Sequence, residues 1–454
     1  MKTNIISTKS ILPNSFRFDP SFHLSEAIIL GKDLDNVPYE KISIKDTNCK
    51  VFLGNIFSRI FVKDKEHGIP YLAASDTVLA DINTGRFLSK KQSKELAYLM
   101  LKKDWIVITC SGTIGNVTYT NSTFENHIAT HDLIRIVPND EKILKGYLYA
   151  FLSSKYGYNQ LTQSRFGGVV KHINADHVNG ITLPLFPEPF QKEVDDLIQE
   201  SARLREEATD ALDQAISYFN DKYTIKEDTQ KTFTLSLKEL KLGFAAYNNN
   251  LEVDQFIDEY KSDSYELSEK TKRIFAPPLF KHIYLNKDNG YPFMTGSELT
   301  QFNLRYYRWL SPKGVKDIND YIVKKGTLLL YKSGTTDGGI LGNVFIADNK
   351  LNGCCLSDHV IRIVFNDVKE AYWAFAFLRS KGATRMLKRL ATGTMIPFIT
   401  PERISRLRIP NPDDNFDAIV SLVEKYINLN STSKENETKA IIMVEQEIEK
   451  WNKN

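Results

Sequence analysis

Two stretches of this chain place cations where they could meet an anionic polymer. Arg305-Tyr306-Tyr307-Arg308-Trp309 sets aromatic rings among guanidinium groups. That composition suits phosphate and base contacts, and equally suits a half-buried amphipathic strand. Residues 379–408 carry Arg379, Lys381, Arg385, Lys388, Arg389, Arg403, Arg406 and Arg408 against Glu402 alone. A net charge of +3 would not by itself suggest nucleic acid, but local patches rather than totals attract phosphates.

Catalytic constellations are harder to find. The chain has no Gly-x-x-x-x-Gly-Lys-Ser/Thr phosphate loop and no Gly-x-Ser-x-Gly nucleophile elbow. Gly334-Thr335-Thr336-Asp337-Gly338-Gly339 lacks the lysine and reads as a turn between strands. His127 and His131 are four apart, but their flanks look extended, which removes the helical spacing a metal pair needs, so no metal site is expected. Asp19-Pro20-Ser21-Phe22 superficially resembles the Asp/Asn-Pro-Pro-Tyr/Phe signature of amino-methyltransferases, yet lacks the second proline and any upstream glycine-rich cofactor loop. It reads as an ordinary turn. Cys354-Cys355 reads as a pair of small buried apolar groups. Four cysteines in 454 residues, without Cys-x-x-Cys spacing, fit a reducing cytoplasm rather than a disulfide scaffold. The most apolar run, residues 371–378, is too short to span a bilayer, and the N-terminus lacks the apolar core of a signal peptide. The expectation is a chain that binds and does not itself catalyse.

Residues of this kind need a frame, and the sequence repeats one. Gly68-Ile69-Pro70-Tyr71-Leu72 recurs as Gly290-Tyr291-Pro292-Phe293-Met294, and Ser111-Gly112-Thr113 recurs as Ser333-Gly334-Thr335, each after a β-type run. Gly115-Asn116-Val117 recurs as Gly342-Asn343-Val344, and Leu133-Ile134-Arg135-Ile136-Val137 as Val360-Ile361-Arg362-Ile363-Val364. From Ala150-Phe151-Leu152 and Ala376-Phe377-Leu378 onward the offset holds at 226, pairing Gly167 with Gly393, Ile173 with Ile399, Pro184 with Pro410 and Phe190 with Phe416. One offset kept over forty-odd residues marks a tandem duplication. Short β-rich runs and a few helices (residues 91–102, 143–154 and 370–387) predict a mixed α+β unit in each half.

A long helix follows each unit. In residues 188–220, Phe190, Val194, Leu197, Leu204, Ala208, Ala211, Ala215 and Tyr218 fall at alternating four- and three-residue gaps, with Ser201 interrupting the seam. At 1.5 Å per residue that is a rod of roughly 50 Å. The second stripe comprises Phe416, Val420, Val423, Ile427, Ile441, Val444, Ile448 and Trp451, with Asn430, Lys434 and Glu437 taking the seam positions between. Two striped helices in one chain are expected to pair, the second continuous or bent and weakly packed at its polar middle. Boundaries are expected near residues 187, 225 and 411.

Together these segments resemble the specificity (S) subunit of type I restriction–modification systems. The resemblance rests on the Ser-Gly-Thr…Gly-Asn-Val segment of each half, and on the glycine turn leading to Ile173…Ile181-x-Leu183-Pro184 and to Ile399…Leu407-x-Ile409-Pro410. Phe16-Arg17-Phe18-Asp19 resembles a domain opening, which Leu242-Gly243-Phe244-Ala245 matches only loosely. The resemblance implies two target-recognition domains (1–187 and 225–411), with conserved helices at 188–224 and 412–454 that form an antiparallel coiled coil and separate the domains like a ruler. It implies recognition of a split, asymmetric site on double-stranded DNA. A spacer of roughly 50 Å exceeds one turn of B-DNA, about 34–36 Å, so the half-sites should flank a gap.

The resemblance further implies docking of methyltransferase subunits, two of them, and of an ATP-dependent restriction subunit in some systems, with S-adenosylmethionine and ATP on those partners and no cofactor on this chain. Lys90, Lys91, Lys171, Arg385, Lys388 and Arg389 are then candidates to clamp phosphates. Thr113, Arg165, Arg308, Thr335, Asp337, Thr392 and Thr394 are candidates for base edges, with Arg305 and Tyr306 beside Arg308. Alternatives are a methylation-only specificity subunit, a self-sufficient DNA methyltransferase or nuclease, and a scaffold without a DNA role. Loops that differ between halves, such as Ser164-Arg165-Phe166-Gly167-Gly168 against Ala391-Thr392-Gly393-Thr394-Met395, suit two reading surfaces on one scaffold or loop drift after duplication.

Overall fold

The computed structural model describes residues 26–163, 172–226, 234–237, 240, 243–303, 308–335, 339–393 and 395–452. The candidate site residues Arg165, Lys171, Arg305, Tyr306, Asp337 and Thr394 lie outside them, as do the 16–19 and 19–22 motifs. Two compact units emerge: residues 1–206 with 432–454, and residues 207–431. The division falls inside both long helices, so each helix contributes to both units.

The first unit contains α1 (Glu26–Asp35), α2 (Lys145–Ser153), α3 (Lys155–Gln163) and α4 (Ala175–Asn179), and shares α5 (Glu188–Lys222). The second contains α6 (Leu251–Asp258), α7 (Val368–Leu378), α8 (Lys381–Arg389) and α9 (Pro401–Ser405), and shares α10 (Phe416–Lys450). In the first unit β1 (Lys41–Ser43) pairs antiparallel with β10 (Thr182–Pro184). One antiparallel sheet runs β2 (Lys50–Phe52), β9 (Leu133–Val137), β6 (Ile106–Thr109), β7 (Val117–Tyr119). Another runs β3 (Phe61–Val62), β5 (Phe87–Ser89), β4 (Gly68–Leu72), β8 (Ile128–Ala129), with β4 and β8 parallel. The second unit repeats all three: β11 (Ser264–Glu266) with β20 (Arg408–Pro410); β12 (Thr271–Phe275), β19 (Val360–Phe365), β16 (Leu328–Tyr331), β17 (Val344–Ile346); and β13 (Tyr284–Leu285), β15 (Arg308–Leu310), β14 (Tyr291–Met294), β18 (Cys355–Leu356). The sequence repeat is thus a repeat of strand order and direction.

Three polar devices hold both copies. Arg135 and Arg362 are buried, and among the described residues no carboxylate lies at hydrogen-bonding distance from either. The Arg135 guanidinium donates to the carbonyls of Leu133 (2.9 Å), Ala129 (3.0 Å), Thr130 (3.1 Å) and Leu99 (3.3 Å), and that of Arg362 to those of Val360 (2.5 Å), Leu356 (2.6 Å) and Ser357 (2.9 Å). Each thereby ties the central strand of one sheet to the end strand of the other. The Tyr147 hydroxyl donates to the Pro184 carbonyl (2.7 Å), and the Trp373 indole N–H to that of Pro410 (2.9 Å), pinning α2 and α7 to the strands that precede the long helices. Ser154 ends the helix expected over 143–154 and Ser380 interrupts the run expected over 370–387, and each caps a following helix by accepting from the backbone N–H three residues on, Gly157 (3.3 Å) and Ala383 (3.4 Å). The run 370–387 is therefore two helices, α7 and α8. The helix expected over 91–102 does not form at that length: a one-turn α-helix at Lys90–Ser93 and a 3-10 turn at Ala97–Leu99 replace it, because Leu96 and Leu99 turn into a local core with Tyr71, Leu88 and Ile128.

Both long helices are continuous over 35 residues. In the first unit Val194 and Ile198 share a buried core with Ala440, Val444 and Ile448, and Phe190, Leu197 and Ile441 pack at its edge. The directions oppose: Phe186 and Trp451 both meet the Tyr39 ring, while Ser201 meets Ser433. In the second unit Leu212, Ala215 and Phe219 share a core with Ile419, Val420, Val423 and Ile427, with Phe416 at its edge, and Tyr218 and Lys222 reach Asp413 just ahead of α10. Leu204 is buried too. The polar middle expected to pack weakly is instead buried at Asn430, Lys434 and Glu437, with Glu437 accepting from the Tyr149 hydroxyl (2.6 Å). At Ser201 and Ser433 each hydroxyl donates to the other residue's carbonyl, at 2.8 and 2.7 Å, so the interruption in the stripe is a hydrogen-bonded contact of small residues.

Candidate nucleic-acid interface

The Ser-Gly-Thr segments occupy the tips of the β6–β7 and β16–β17 hairpins. Ser111 bridges to His172, which follows α3 in the sequence, and Ser333 bridges to Phe398 on the loop that follows α8. In the second unit this loop folds back on itself, with paired Thr392–Phe398 backbone hydrogen bonds of 2.8 Å. Gly393 makes the reversal at φ +97°, and a Cβ there would lie 3.5 Å from the Phe398 ring. The loop is tied to the hairpin by Gly334 N–H to the Pro397 carbonyl (3.1 Å) and Ile399 N–H to the Lys332 carbonyl (2.7 Å). Ser333 Oγ meets His359 Nδ1 at 2.8 Å, and Lys332 sits 3.9 Å from Asp358. The hairpin also closes against α8, where a Cβ on Gly342 would lie 3.3 Å from Leu387 Cβ. Thr335, Thr392 and Lys388 are thus gathered on one loop cluster, Thr335 exposed and the other two half-buried; Thr113 holds the place of Thr335 in the first unit and is exposed.

Other candidate residues lie elsewhere. Lys90 and Lys91 are exposed on the turn after β5, away from the hairpin. Arg308 sits on β15, its guanidinium paired with Glu298 and over the rings of Tyr284 and Phe293. Arg86, Asp76 and Tyr71 form the same arrangement in the first unit, so this pairing is common to both copies. Of the aromatic–cationic run, the described residues 308–309 form the half-buried strand alternative. Arg389 and Arg385, candidates to clamp phosphates, both hold ion pairs to α6. Arg389 is 8% exposed and pairs with Asp254 at 2.7 Å, and Arg385 pairs with Glu252 at 2.7 Å. Counting charge along residues 379–408 missed these carboxylates because α6 supplies them from about 130 positions earlier. Arg403 likewise donates to the Leu390 and Ala391 carbonyls, at 2.8 and 3.3 Å. The second unit also has a cleft of about 630 Å³ between α6, α8 and residues 400–408, lined by Asp258, Lys261, Met386, Glu402, Arg406 and Arg408 among others.

The remaining titratable groups suit structure. Burial pushes the thiol of Cys110 up to about 11 and that of Cys355 up to about 12, and raises Cys354 further, so these buried thiols stay protonated and weakly nucleophilic. Burial lowers His127, whose Nδ1 lies 3.1 Å from the Glu125 carbonyl. Among the described residues no three His, Cys, Asp or Glu side chains gather as a metal site. Nor is any described helix long and apolar enough to cross a membrane.

Comparison with known proteins follows the same repeat. The sequence matches the family described as Type I restriction modification DNA specificity domain twice, over residues 36–203 and 272–442. No curated protein matches. Similar solved structures include the S subunit of a type I restriction-modification system from M. genitalium (12% identity, 92% of this chain and 96% of that one, TM-score 0.33). They also include the HsdS subunit from Thermoanaerobacter tengcongensis (13%, 91% and 97%, 0.29), and a chain from a structure of type I R-M complex assembly and conformational transition (14%, 92% and 97%, 0.29). With two matched copies spanning most of its length, this chain belongs to the type I restriction–modification DNA specificity family.

Proposed function

We propose that this chain selects the DNA sequence on which a type I restriction–modification complex acts, each domain reading one half of a bipartite, asymmetric site. Methyltransferase subunits dock on it and carry S-adenosylmethionine, and an ATP-dependent restriction subunit joins where the system has one. The chain itself supplies recognition. The observation that supports this most directly is one frame built twice, down to Arg135 and Arg362, while the segments that follow α3 and α8 differ almost completely in sequence. Identical frames with unlike loops suit two different half-sites, since loops on rigid scaffolds carry recognition. This reading assigns base contacts to Thr113 in one domain and to Thr335 and Thr392, with Lys388 beside them, in the other, and phosphate contacts to Lys90 and Lys91.

Co-expression with the methyltransferase subunits and genome-wide mapping of modified adenines tests the reading. The expected result is one interrupted motif, of which exchange of the 391–399 loop alters a single half. An uninterrupted motif, or methyl transfer by this chain alone, overturns it.

A further inference from the structure

The loop beside the second unit's hairpin ends in side chains that ordinary surface packing does not account for. Met395 is 93% exposed and Ile396 69%, on a turn closed by the Thr392–Phe398 hydrogen bonds and backed by Pro397. The turn is anchored on three sides: by the hairpin through Gly334 and Lys332, by the Tyr247 hydroxyl donating to the Gly393 carbonyl (3.1 Å), and by Asn248 donating to the Arg389 and Ala391 carbonyls (2.6 and 2.8 Å). With the base of the turn held in this way, Met395 and Ile396 stand in water. Residues 388–399 contain no Asp or Glu, and Lys388, Lys332 and Arg403 flank the loop's two ends.

We propose that Met395 and Ile396 form a wedge that enters between stacked base pairs of the half-site read by the second domain, opening one step while Lys388, at the start of the loop, holds a neighbouring phosphate. This rests on the DNA-reading function proposed above and assigns it a second contact mode. Apolar faces between two lines of anions describe a base stack, and exposed Met and Ile wedges are a general means of parting one. A two-residue tip is far too small for a stable protein interface, which buries about 800 Å² per partner. The wedge adds selectivity without hydrogen bonds, because steps differ in how easily they open.

The test uses the full chain assembled with its methyltransferase subunits, on duplexes carrying the mapped site. 2-Aminopurine is placed singly through the half-site assigned to this domain by loop exchange, avoiding the methylated adenine. Binding should raise fluorescence several-fold at one step. Met395→Leu with Ile396→Val should keep that rise, and Met395→Ser with Ile396→Ser should abolish it while assembly and affinity for non-cognate DNA stay unchanged. An equal rise in the serine variant overturns the wedge, as does no rise at any position in the parent. A folded serine variant that no longer assembles overturns it in favour of protein docking. If the parent complex binds no sequence selectively, the DNA-reading function fails as well, a result distinct from selective binding without unstacking.

Discussion

Replacing Arg362 by Met should destabilise the second unit, and the size of the effect follows from two opposing terms. The guanidinium makes three charge-assisted hydrogen bonds, to the Leu356, Ser357 and Val360 carbonyls. At about 1.5–3 kcal/mol each, their loss costs roughly 4.5–9 kcal/mol. Burial works the other way: it pushes the group from 12.5 to about 10, so holding the cation there costs about 3 kcal/mol, which Met recovers. The net loss is about 1.5–6 kcal/mol. At roughly 2–4 °C per kcal/mol for a unit of this size, a mid-range 4 kcal/mol lowers the unfolding midpoint by about 8–16 °C. A buried base with a lowered pKa carries its cost at every pH below the folded value and sheds it only as pH rises through about 10. The mutant–parent difference should therefore be the same at pH 7 and pH 8.5. Calorimetry measures the midpoint, and hydrogen exchange should show lost protection over residues 356–360, which position His359 against Ser333. If Arg362→Met is as stable as the parent, the uncompensated charge dominates and the hydrogen-bond argument is wrong.

Ser201→Leu should cost about 1–3 kcal/mol by overpacking a contact where each serine hydroxyl bonds the facing carbonyl, against about 1 kcal/mol for Ser433→Ala; chemical denaturation ranks the two, and equal stability of Ser201→Leu would mean the helices stand apart there. Gly157→Ala should lower the denaturation midpoint sharply, since its Cβ would sit 2.3 Å from the Phe151 carbonyl oxygen and 2.5 Å from Leu152 Cα, backbone atoms that cannot swing aside. Asp413 is pushed up by partial burial but held below the usual carboxylate value by Lys222 and Tyr218, so its contribution is present above about pH 4 and lost as pH falls through the folded value. Acid titration of Asp413→Asn against the parent should show a difference, on the order of 1 kcal/mol or less, that vanishes at low pH. Arg308→Ala and Glu298→Ala should lower stability alike and leave the methylation motif unchanged; a motif relaxed in one half by Arg308→Ala alone would return that residue to base reading.

What was legible in the sequence is what obeys a period or an offset. The stripe from Phe190 gives α5 almost to the residue, and the recurring Leu133–Val137 pattern gives β9 and β19. Where the reading failed, the deciding partner was remote in sequence. Asp254 neutralises Arg389 from another helix, and nothing within residues 379–408 announces it. The expected helix over 91–102 has the composition for one, yet Leu96 and Leu99 are claimed by a core with Tyr71 and Ile128. The sequence marks the 391–395 loop as diverged between halves, but the exposure of Met395 and Ile396 at its tip is not a sequence property.

The constancy of the frame follows from how it is bonded. Arg135 and Arg362 bond backbone carbonyls, and Tyr147 and Trp373 bond a proline carbonyl, so these devices survive any change in neighbouring side chains. One pair even differs in residue type while keeping its bond. A fold secured through main-chain acceptors leaves the loop side chains at the hairpin tips free to vary without loss of stability. Two copies of such a frame can diverge in what they contact and remain the same fold, which is the condition a protein needs if it must read two unlike sequences with one architecture.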